Sequence, residues 1–461
     1  MLTRSGLAGI ARDSLMLAPS YIVPGLASLV SVPVLFALLG ADSYGRWALM
    51  FGIANGVPQV TTSWLESIVL RFGHRSGSTI QGSMYLVATV ASATVGLALA
   101  IVFIPAASPV VLMTTAILTA TVGAYLVVVA RLQSLLRFGA ASRVAVTRAT
   151  TGSVLSIAAA AILRDVAPAA LGLAAGFAVG SVVGLVAIRR HGVGPPMDDE
   201  PGASANSDLR SYGIGSAIFA IGSFVLAVGD RFVLSMLRPL AEVGVYAATY
   251  AIADLVFRFG PSVLVATVRQ RLFRALDAGD EGARSPAIVA AILVLAWVMA
   301  AGVVALVVIG PRVAFLPVDG VLIGPIAAGL GTFIVANALV VVYSGQVRQI
   351  RVAVHVSLAA LLNVSLNLVL VPSMGALGCA VATVISYAFF LGLNLAGLRR
   401  YLGRPARAAY PVFGALILTT ALAAAWSGPD SWAVASAVSS LALLAALPFL
   451  VQVVRPIVAS D

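Results

Sequence analysis

Six ionisable side chains lie inside long apolar stretches of the sequence, where lipid would surround them if those stretches crossed a membrane. A charge at that depth costs several kcal/mol, so it requires a partner of opposite charge or a water-filled cavity. These side chains are therefore the first candidates for contact with a charged ligand: Glu66, Arg148, Asp230, Arg231, Asp254 and Arg258.

Asp254 and Arg258 lie near the middle of one apolar stretch, and their i,i+4 spacing places them on one face of a helix. Two interpretations stay open. In the first, the two charges neutralise each other inside a helix bundle. In the second, Arg258 attracts a diphosphate group and Asp254 tunes or releases it. Arginine suits phosphate because its planar fork donates two parallel hydrogen bonds and stays protonated. Gly260 and Pro261 follow, and they permit a kink.

The other candidates stand apart from that pair. Asp230 and Arg231 are adjacent, so on a helix they point about 100° apart and cannot serve one another face to face. We expect Glu66 and Arg148 near the cytoplasmic ends of their stretches, where a long side chain reaches the interface at little cost.

Two amides form a further pair of candidates. Asn363 and Asn367 share a helix face through their i,i+4 spacing. Buried amides in a membrane need hydrogen-bond partners, so these two either join neighbouring helices or contact a sugar.

No pattern in the sequence indicates an enzyme. His74, His191 and His355 are far apart and lack metal-ligand spacing. The acidic run 198–200 lies in a short linker rich in glycine and proline, with no domain around it. We therefore predict no catalytic residues, no metal site and no cofactor. The driving force, whether protons, sodium ions or the membrane potential, stays open.

Composition sets the class of protein to which these residues belong. Of the 461 residues, 61% are hydrophobic and 10% are charged, and the mean hydropathy is +1.05. Soluble domains carry roughly a quarter charged residues, so the chain cannot give a globule of this size a solvated coat. This excludes a soluble enzyme, a nucleic-acid-binding protein and a disordered chain. It predicts a polytopic, all-α membrane protein whose surface contacts membrane lipids.

Fourteen apolar stretches are long enough to cross about 30 Å of hydrocarbon. The expected spans are 15–39, 47–70, 83–105, 109–130, 145–163, 168–188, 212–237, 244–268, 287–309, 321–343, 352–371, 375–396, 409–426 and 431–454. With the N-terminus inside, 21 arginines fall in cytoplasmic segments and only four, Arg46, Arg164, Arg238 and Arg312, fall outside. This bias predicts that both termini are cytoplasmic.

The sequence also resembles itself at an offset of about 200 residues. The segment 143–146 recurs as 351–354, and 170–172 recurs as 376–378, in the same order. The repeat predicts two six-helix lobes with the same orientation, related by a pseudo-two-fold axis along the membrane normal, as in secondary transporters. The expected boundaries are an N-terminal lobe at 1–190, a cytoplasmic linker at 191–208, a C-terminal lobe at 209–400, and two extra helices with a tail at 401–461.

Three segments resemble the polysaccharide flippase branch of the multidrug/oligosaccharidyl-lipid/polysaccharide exporter superfamily. In the first, a span ends in Asp-Arg, a short turn follows, and the next span starts with Gly-x-Tyr, as in the family. These residues are Asp230-Arg231 and Gly244-Val245-Tyr246. The second has its Asn-x-x-x-Asn-x-x-x-x-Pro and Ser-Tyr pattern, from Asn363 to Tyr387. A weaker likeness is Leu39-Gly40 with Tyr44-Gly45 and the segment 47–49.

This resemblance implies a fold and a function. It implies two lobes around a central cavity, alternating access, and export of undecaprenyl-pyrophosphate-linked oligosaccharides across a bacterial inner or plasma membrane, with a polysaccharide polymerase as a partner. A related alternative is a cation-coupled exporter of drugs or metabolites, which would need an acid-dominated cavity. A membrane-embedded glycosyltransferase or polymerase would need a sizeable loop with catalytic residues, and a scaffolding protein would not need buried charges.

The arginine bias yields a direct test of topology. We expect a cysteine placed at Ser204 to react with a membrane-impermeant reagent only after the cell membrane is opened. A reporter enzyme that is active only in the cytoplasm should be active when it is fused after Asp461. A reporter that is active only outside the membrane should be inactive there. External labelling at position 204 in intact cells would contradict the predicted orientation.

Overall fold

The computed structural model describes residues 4–62, 65, 82–135, 137–190, 203–259, 286–309, 316–344, 349–398, 441, 444, 445 and 448. Within them all regular secondary structure is helical, which confirms the expected fold class. In chain order the helices are α1 (Arg4–Thr61), α2 (Gly82–Phe103), α3 (Pro109–Ser134), α4 (Phe138–Leu163), α5 (Val166–Arg190), α6 (Ala203–Leu237), α7 (Leu240–Phe259), α8 (Pro286–Ile309), α9 (Ile323–Ser344), α10 (Gln349–Met374) and α11 (Ala376–Leu398).

Helix α1 holds the first two expected spans, because it is divided by a sharp kink at Gly40. The backbone of Gly40 has φ 75° and ψ 166°, which is outside the helical region. A positive φ strains residues that carry a Cβ atom, so glycine is the residue suited to this point. The kink separates an arm at 4–39 from an arm at 41–61.

The remaining helices follow the expected spans in order as far as residue 398. Nine helices of the described part of the chain are long and apolar enough to cross a membrane. Expected spans 13 and 14 lie outside the described residues, apart from the isolated helical positions 441, 444, 445 and 448.

The chain divides into two compact units, residues 1–244 and residues 245–461. Helix α6 belongs to the first unit, in which it packs against α1. The sequence repeat assigns α6 to the second lobe, and the lobe boundaries at 190 and 208 stay a prediction.

Within the first unit, α4 and α5 are packed backbone against backbone. A Cβ atom on Gly176 would overlap the main chain of Gly152, and one on Gly172 would lie 2.6 Å from the carbonyl oxygen of Leu155. Lipid tails are as apolar as the helices, so helix association in a membrane depends on such close contact. The run of glycines from Gly172 to Gly184 thus allows α5 to pack closely.

A second close contact joins the start of the 41–61 arm to the start of α7. A Cβ atom on Gly45 would overlap the carbonyl oxygen of Leu240, and one on Gly244 would overlap that of Ala41. The contact is reciprocal, since Leu240 stands to Ala41 in the sequence as Gly244 stands to Gly45. Each glycine therefore lies against the carbonyl oxygen of the residue four positions before the other glycine.

This reciprocal contact leads to a stability prediction. We expect Gly45→Ala and Gly244→Ala each to destabilise the protein by about 1–3 kcal/mol, because the added methyl group meets backbone that cannot move aside. The double variant should cost less than the sum of the two, because both changes open the same contact. Thermal unfolding of the purified protein measures this.

Gly392→Ala is the matched control, since a Cβ atom at Gly392 would meet nothing within 4 Å. The control should leave the unfolding temperature unchanged or slightly raised, because alanine favours the helix more than glycine does. Equal unfolding temperatures for Gly45→Ala and wild type would refute the contact.

Candidate functional site

Arg148 of α4 lies in a cage of two aromatic rings in the first unit. Its guanidinium carbon is 4.9 Å from the centre of the Phe177 ring and 5.5 Å from that of the Tyr125 ring. The two rings meet edge to face, with centres 5.3 Å apart and planes at 80°. Arg148 also has a side-chain hydrogen bond with Tyr125. Three helices thus hold one cation, with Tyr125 from α3 and Phe177 from α5.

Glycine in α5 makes room for this arginine. A Cβ atom on Gly180 would lie 2.8 Å from Cβ of Arg148 and 3.3 Å from the Tyr125 ring. Phe177 is three residues before Gly180, so ring and gap occupy the same side of α5. The local sequence therefore supplies both the space for the arginine and one of the rings that cover it.

The helix that carries Arg148 is longer than the expected span. Helix α4 begins at Phe138 rather than near residue 145, so Arg148 lies about 15 Å from the start of the helix. Nε of Arg148 is buried and has no hydrogen-bond partner within the described part of the chain. The expected place of Arg148 near the cytoplasmic end of its span stays a prediction.

Aromatic rings, rather than acids, face the Arg148 charge. No carboxylate of the described residues forms an ion pair with it. A cation over an aromatic face gains about 0.5–2 kcal/mol, whereas an arginine at the centre of a membrane helix costs about 2.5–3.5 kcal/mol on insertion scales. The rings offset the cost of burial without cancelling the charge.

Asp230 and Arg231 lie together near the end of α6, apart from Arg148. Asp230 is 1% exposed, and one of its carboxylate oxygens accepts a hydrogen bond of 2.7 Å from the backbone N–H of Arg231. Arg231 is half-buried and interacts electrostatically with Tyr44 of the 41–61 arm. The Asp230 carboxylate is thus enclosed by protein, and no described contact joins either residue to Arg148.

The second unit holds Asp254 beside a pair of tyrosines. Asp254 is half-buried on α7, one turn after Tyr250. The hydroxyl groups of Tyr250 and Tyr387 are 3.2 Å apart, and the Phe333 ring stacks on Tyr387 with centres 4.5 Å apart. Helix α7 continues to Phe259, but the side chain of Arg258 lies outside the described residues, as do Glu66, Gly260 and Pro261.

Asn363 and Asn367 occupy the core of the second unit. Both are fully buried, and Nδ2 of Asn367 donates bonds of 2.9 Å to the carbonyl oxygen and to Oδ1 of Asn363. Their shared helix face is confirmed. Full burial favours the role in packing over contact with a sugar, which stays a prediction.

Several polar contacts have no clear signal in the sequence. Tyr125 and Phe177 are 52 positions apart and meet only in the folded chain. His355 of α10 and Asn394 of α11 are joined at 3.0 Å. Of these residues, Phe177 has one signal in the sequence, because it lies within a series of regularly spaced glycines. Among the described residues no group of histidine, cysteine and acidic side chains could hold a metal ion.

Comparison with known proteins identifies this architecture. Neither a protein-family model nor a curated protein sequence matches the chain. Three similar solved structures are as follows. The lipid II flippase MurJ, in an inward closed conformation, has 14% identity and a TM-score of 0.58, with 97% of this chain and 100% of that chain covered. An outward-facing multidrug resistance MATE family transporter of the MOP superfamily has 17% identity and a TM-score of 0.56, with 85% of this chain and 95% of that chain covered. The eukaryotic MATE transporter AtDTX14 has 15% identity and a TM-score of 0.52, with 88% of this chain and 97% of that chain covered.

The chain therefore has the fold of a MOP-superfamily membrane transporter. Structures of these neighbours include inward-facing and outward-facing conformations. The neighbours are transporters and flippases rather than enzymes. The helical architecture expected from the motifs is confirmed at the level of the fold.

Proposed function

We propose that this chain, with its MOP-superfamily fold, is a flippase for an undecaprenyl-pyrophosphate-linked oligosaccharide. It moves the lipid-linked sugar from the cytoplasmic to the outer leaflet of a bacterial cell membrane by alternating access. The observation that carries the proposal is similarity over almost the whole chain to a flippase for a lipid-linked precursor, with 97% of this chain and 100% of that one covered. The MATE exporters cover less of it, between 84% and 88%.

A cation-coupled exporter of drugs or metabolites is the second candidate, because a MATE transporter matches with nearly the same TM-score, 0.56 against 0.58. Such a transporter needs acidic side chains that a cation can reach. Asp230 is 1% exposed and bonded to backbone, while the cation of Arg148 is faced by rings. Of the acids that the structure describes in these helices, Asp254 is half-buried and Asp230 is enclosed. The enclosed Asp230 and the ring-faced cation of Arg148 support an anionic cargo.

Arg258 is the residue that we assign to the diphosphate. It lies near the middle of expected span 8, one helical turn from Asp254, and its guanidinium suits two phosphate oxygens at once. Asp254 would then tune the affinity and help release the cargo. The oligosaccharide would follow through the cavity, while the polyprenyl chain stays in the lipid. Protons, sodium ions or the membrane potential would drive the cycle, and a polysaccharide polymerase would receive the product.

Substitution of Arg258 tests this assignment. We expect Arg258→Ala to lower flipping by about ten- to a hundredfold, since a hydrogen bond to a charged group contributes about 1.5–3 kcal/mol. Arg258→Lys should recover only part of the activity, because an ammonium keeps the charge but loses the fork. The assay is the appearance of lipid-linked sugar on the outer leaflet of proteoliposomes, at equal protein content.

The double variant Arg258→Ala with Asp254→Ala separates the two interpretations of this pair. If Arg258 only neutralises Asp254, removing both charges restores flipping. If it binds the diphosphate, the double variant stays inactive. Arg351→Ala, which changes an exposed arginine of α10, is the matched control and should leave flipping unchanged. Wild-type proteoliposomes that export a cationic dye but do not flip the lipid would favour the exporter instead.

A further inference from the structure

Arg148 carries a charge that the described part of the protein holds in place but does not neutralise. Two ring faces and a tyrosine hydroxyl surround the guanidinium, and no described carboxylate pairs with it. Arginine cannot shed its proton to escape this environment. A charge kept at this depth without an acid is typical of a site whose counter-ion is a ligand.

The packing around Arg148 directs the free part of the side chain. Cβ lies against Gly180, and Nε is buried. The residue as a whole is nevertheless half-buried rather than fully buried. The terminal nitrogens of the guanidinium carry the hydrogen-bond donors that a ligand would use.

We propose that Arg148, clamped by Tyr125 and Phe177, is an anion-binding site of the first unit that takes a lipid phosphate group. The rings fix the plane of the guanidinium, so its two terminal nitrogens present parallel donors of the geometry that two phosphate oxygens accept. The hydroxyl of Tyr125 lies beside them as a further polar group. The residues of this site belong to the first unit, and the proposal rests on the proposed function only for the identity of the lipid.

Two lipids carry this chemistry, and the experiment separates them. One is the diphosphate of an undecaprenyl-linked cargo, and the other is the phosphodiester of an anionic bilayer lipid. The full-length protein is placed in phosphatidylcholine nanodiscs, and binding of radiolabelled undecaprenyl pyrophosphate is measured. A second arm adds phosphatidylglycerol, and a third adds inorganic pyrophosphate, each as a competitor.

We expect Arg148→Gln to weaken binding of undecaprenyl pyrophosphate by about ten- to a hundredfold, because it removes a charge-assisted bidentate contact. Arg148→Lys should retain the charge and lose several-fold in affinity, because an ammonium lacks the planar fork. Arg143→Gln is the matched control, since it removes the same charge from an exposed position on the same helix. Its affinity should stay within about twofold of the wild type, as expected for a solvent-screened charge.

The three arms give distinct outcomes. Competition by inorganic pyrophosphate, and by phosphatidylglycerol only weakly, supports a site for the cargo diphosphate. Equal competition by phosphatidylglycerol supports the same phosphate site with a bilayer lipid as its occupant. Wild-type affinity in Arg148→Gln, with Arg143→Gln also unchanged, overturns the proposal and leaves Arg148 as a packing residue.

Two further measurements keep the proposal testable if Arg148→Gln does not fold. Arg148→Lys retains the charge, and Tyr125→Phe retains the ring and removes only the hydroxyl group. Wild-type affinity for undecaprenyl pyrophosphate in both variants overturns the proposal that Arg148 and Tyr125 bind the phosphate group. Failure of the proposed function would be distinguishable, since a chain that flips no lipid-linked sugar can still bind pyrophosphate through Arg148. Conversely, normal flipping and binding in Arg148→Gln would remove this site and leave the flippase standing.

Discussion

An arginine inside a membrane-spanning helix keeps its charge at any physiological pH, so everything packed around Arg148 must accommodate that charge without removing it. Within the described part of the chain, the faces of Phe177 and Tyr125 surround the guanidinium, and no carboxylate pairs with it. Ring faces offer a weak negative potential and no competing ion. A carboxylate partner would have lowered the cost of burial further, but it would also have closed the cation to a ligand. Asp230 shows the opposite arrangement, because its carboxylate is enclosed and bonded to its own backbone.

The aromatic cage depends in turn on the absence of side chains. Gly180 leaves the space that the base of Arg148 and the edge of Tyr125 occupy, and Gly176 lets α5 approach Gly152 of α4. Lipid supplies no hydrophobic force that would push these helices together, so close backbone contact is what stabilises their packing. Close backbone contact recurs where Gly45 and Gly244 bring the start of the 41–61 arm against the start of α7. Glycine thus makes room both for the base of Arg148 and for contacts between helices.

These features bear on the choice between two kinds of cargo within one fold. Flippases and cation-coupled exporters share the helical architecture, and identities of 14–18% show no more than that architecture. The charges inside the helices are what differ between the two functions. An exporter of cations needs acids that solvent can reach, whereas a carrier of diphosphates needs cations that no acid neutralises. Among the described residues, Arg148 is faced by two aromatic rings and forms no ion pair with a carboxylate.

Sequence alone determined the fold class, the order of the first twelve spans, the importance of the glycines from 172 to 184, and the shared face of Asn363 and Asn367. Each of these depends on local patterns: the length of an apolar run, a four-residue spacing, or a small residue every fourth position. The tertiary structure decided what surrounds each charge. Sequence predicted a span from residue 145, whereas the structure begins α4 at Phe138. Tyr125 and Phe177 reach Arg148 from two other helices. A contact between three helices cannot be predicted from the spacing of residues within one helix.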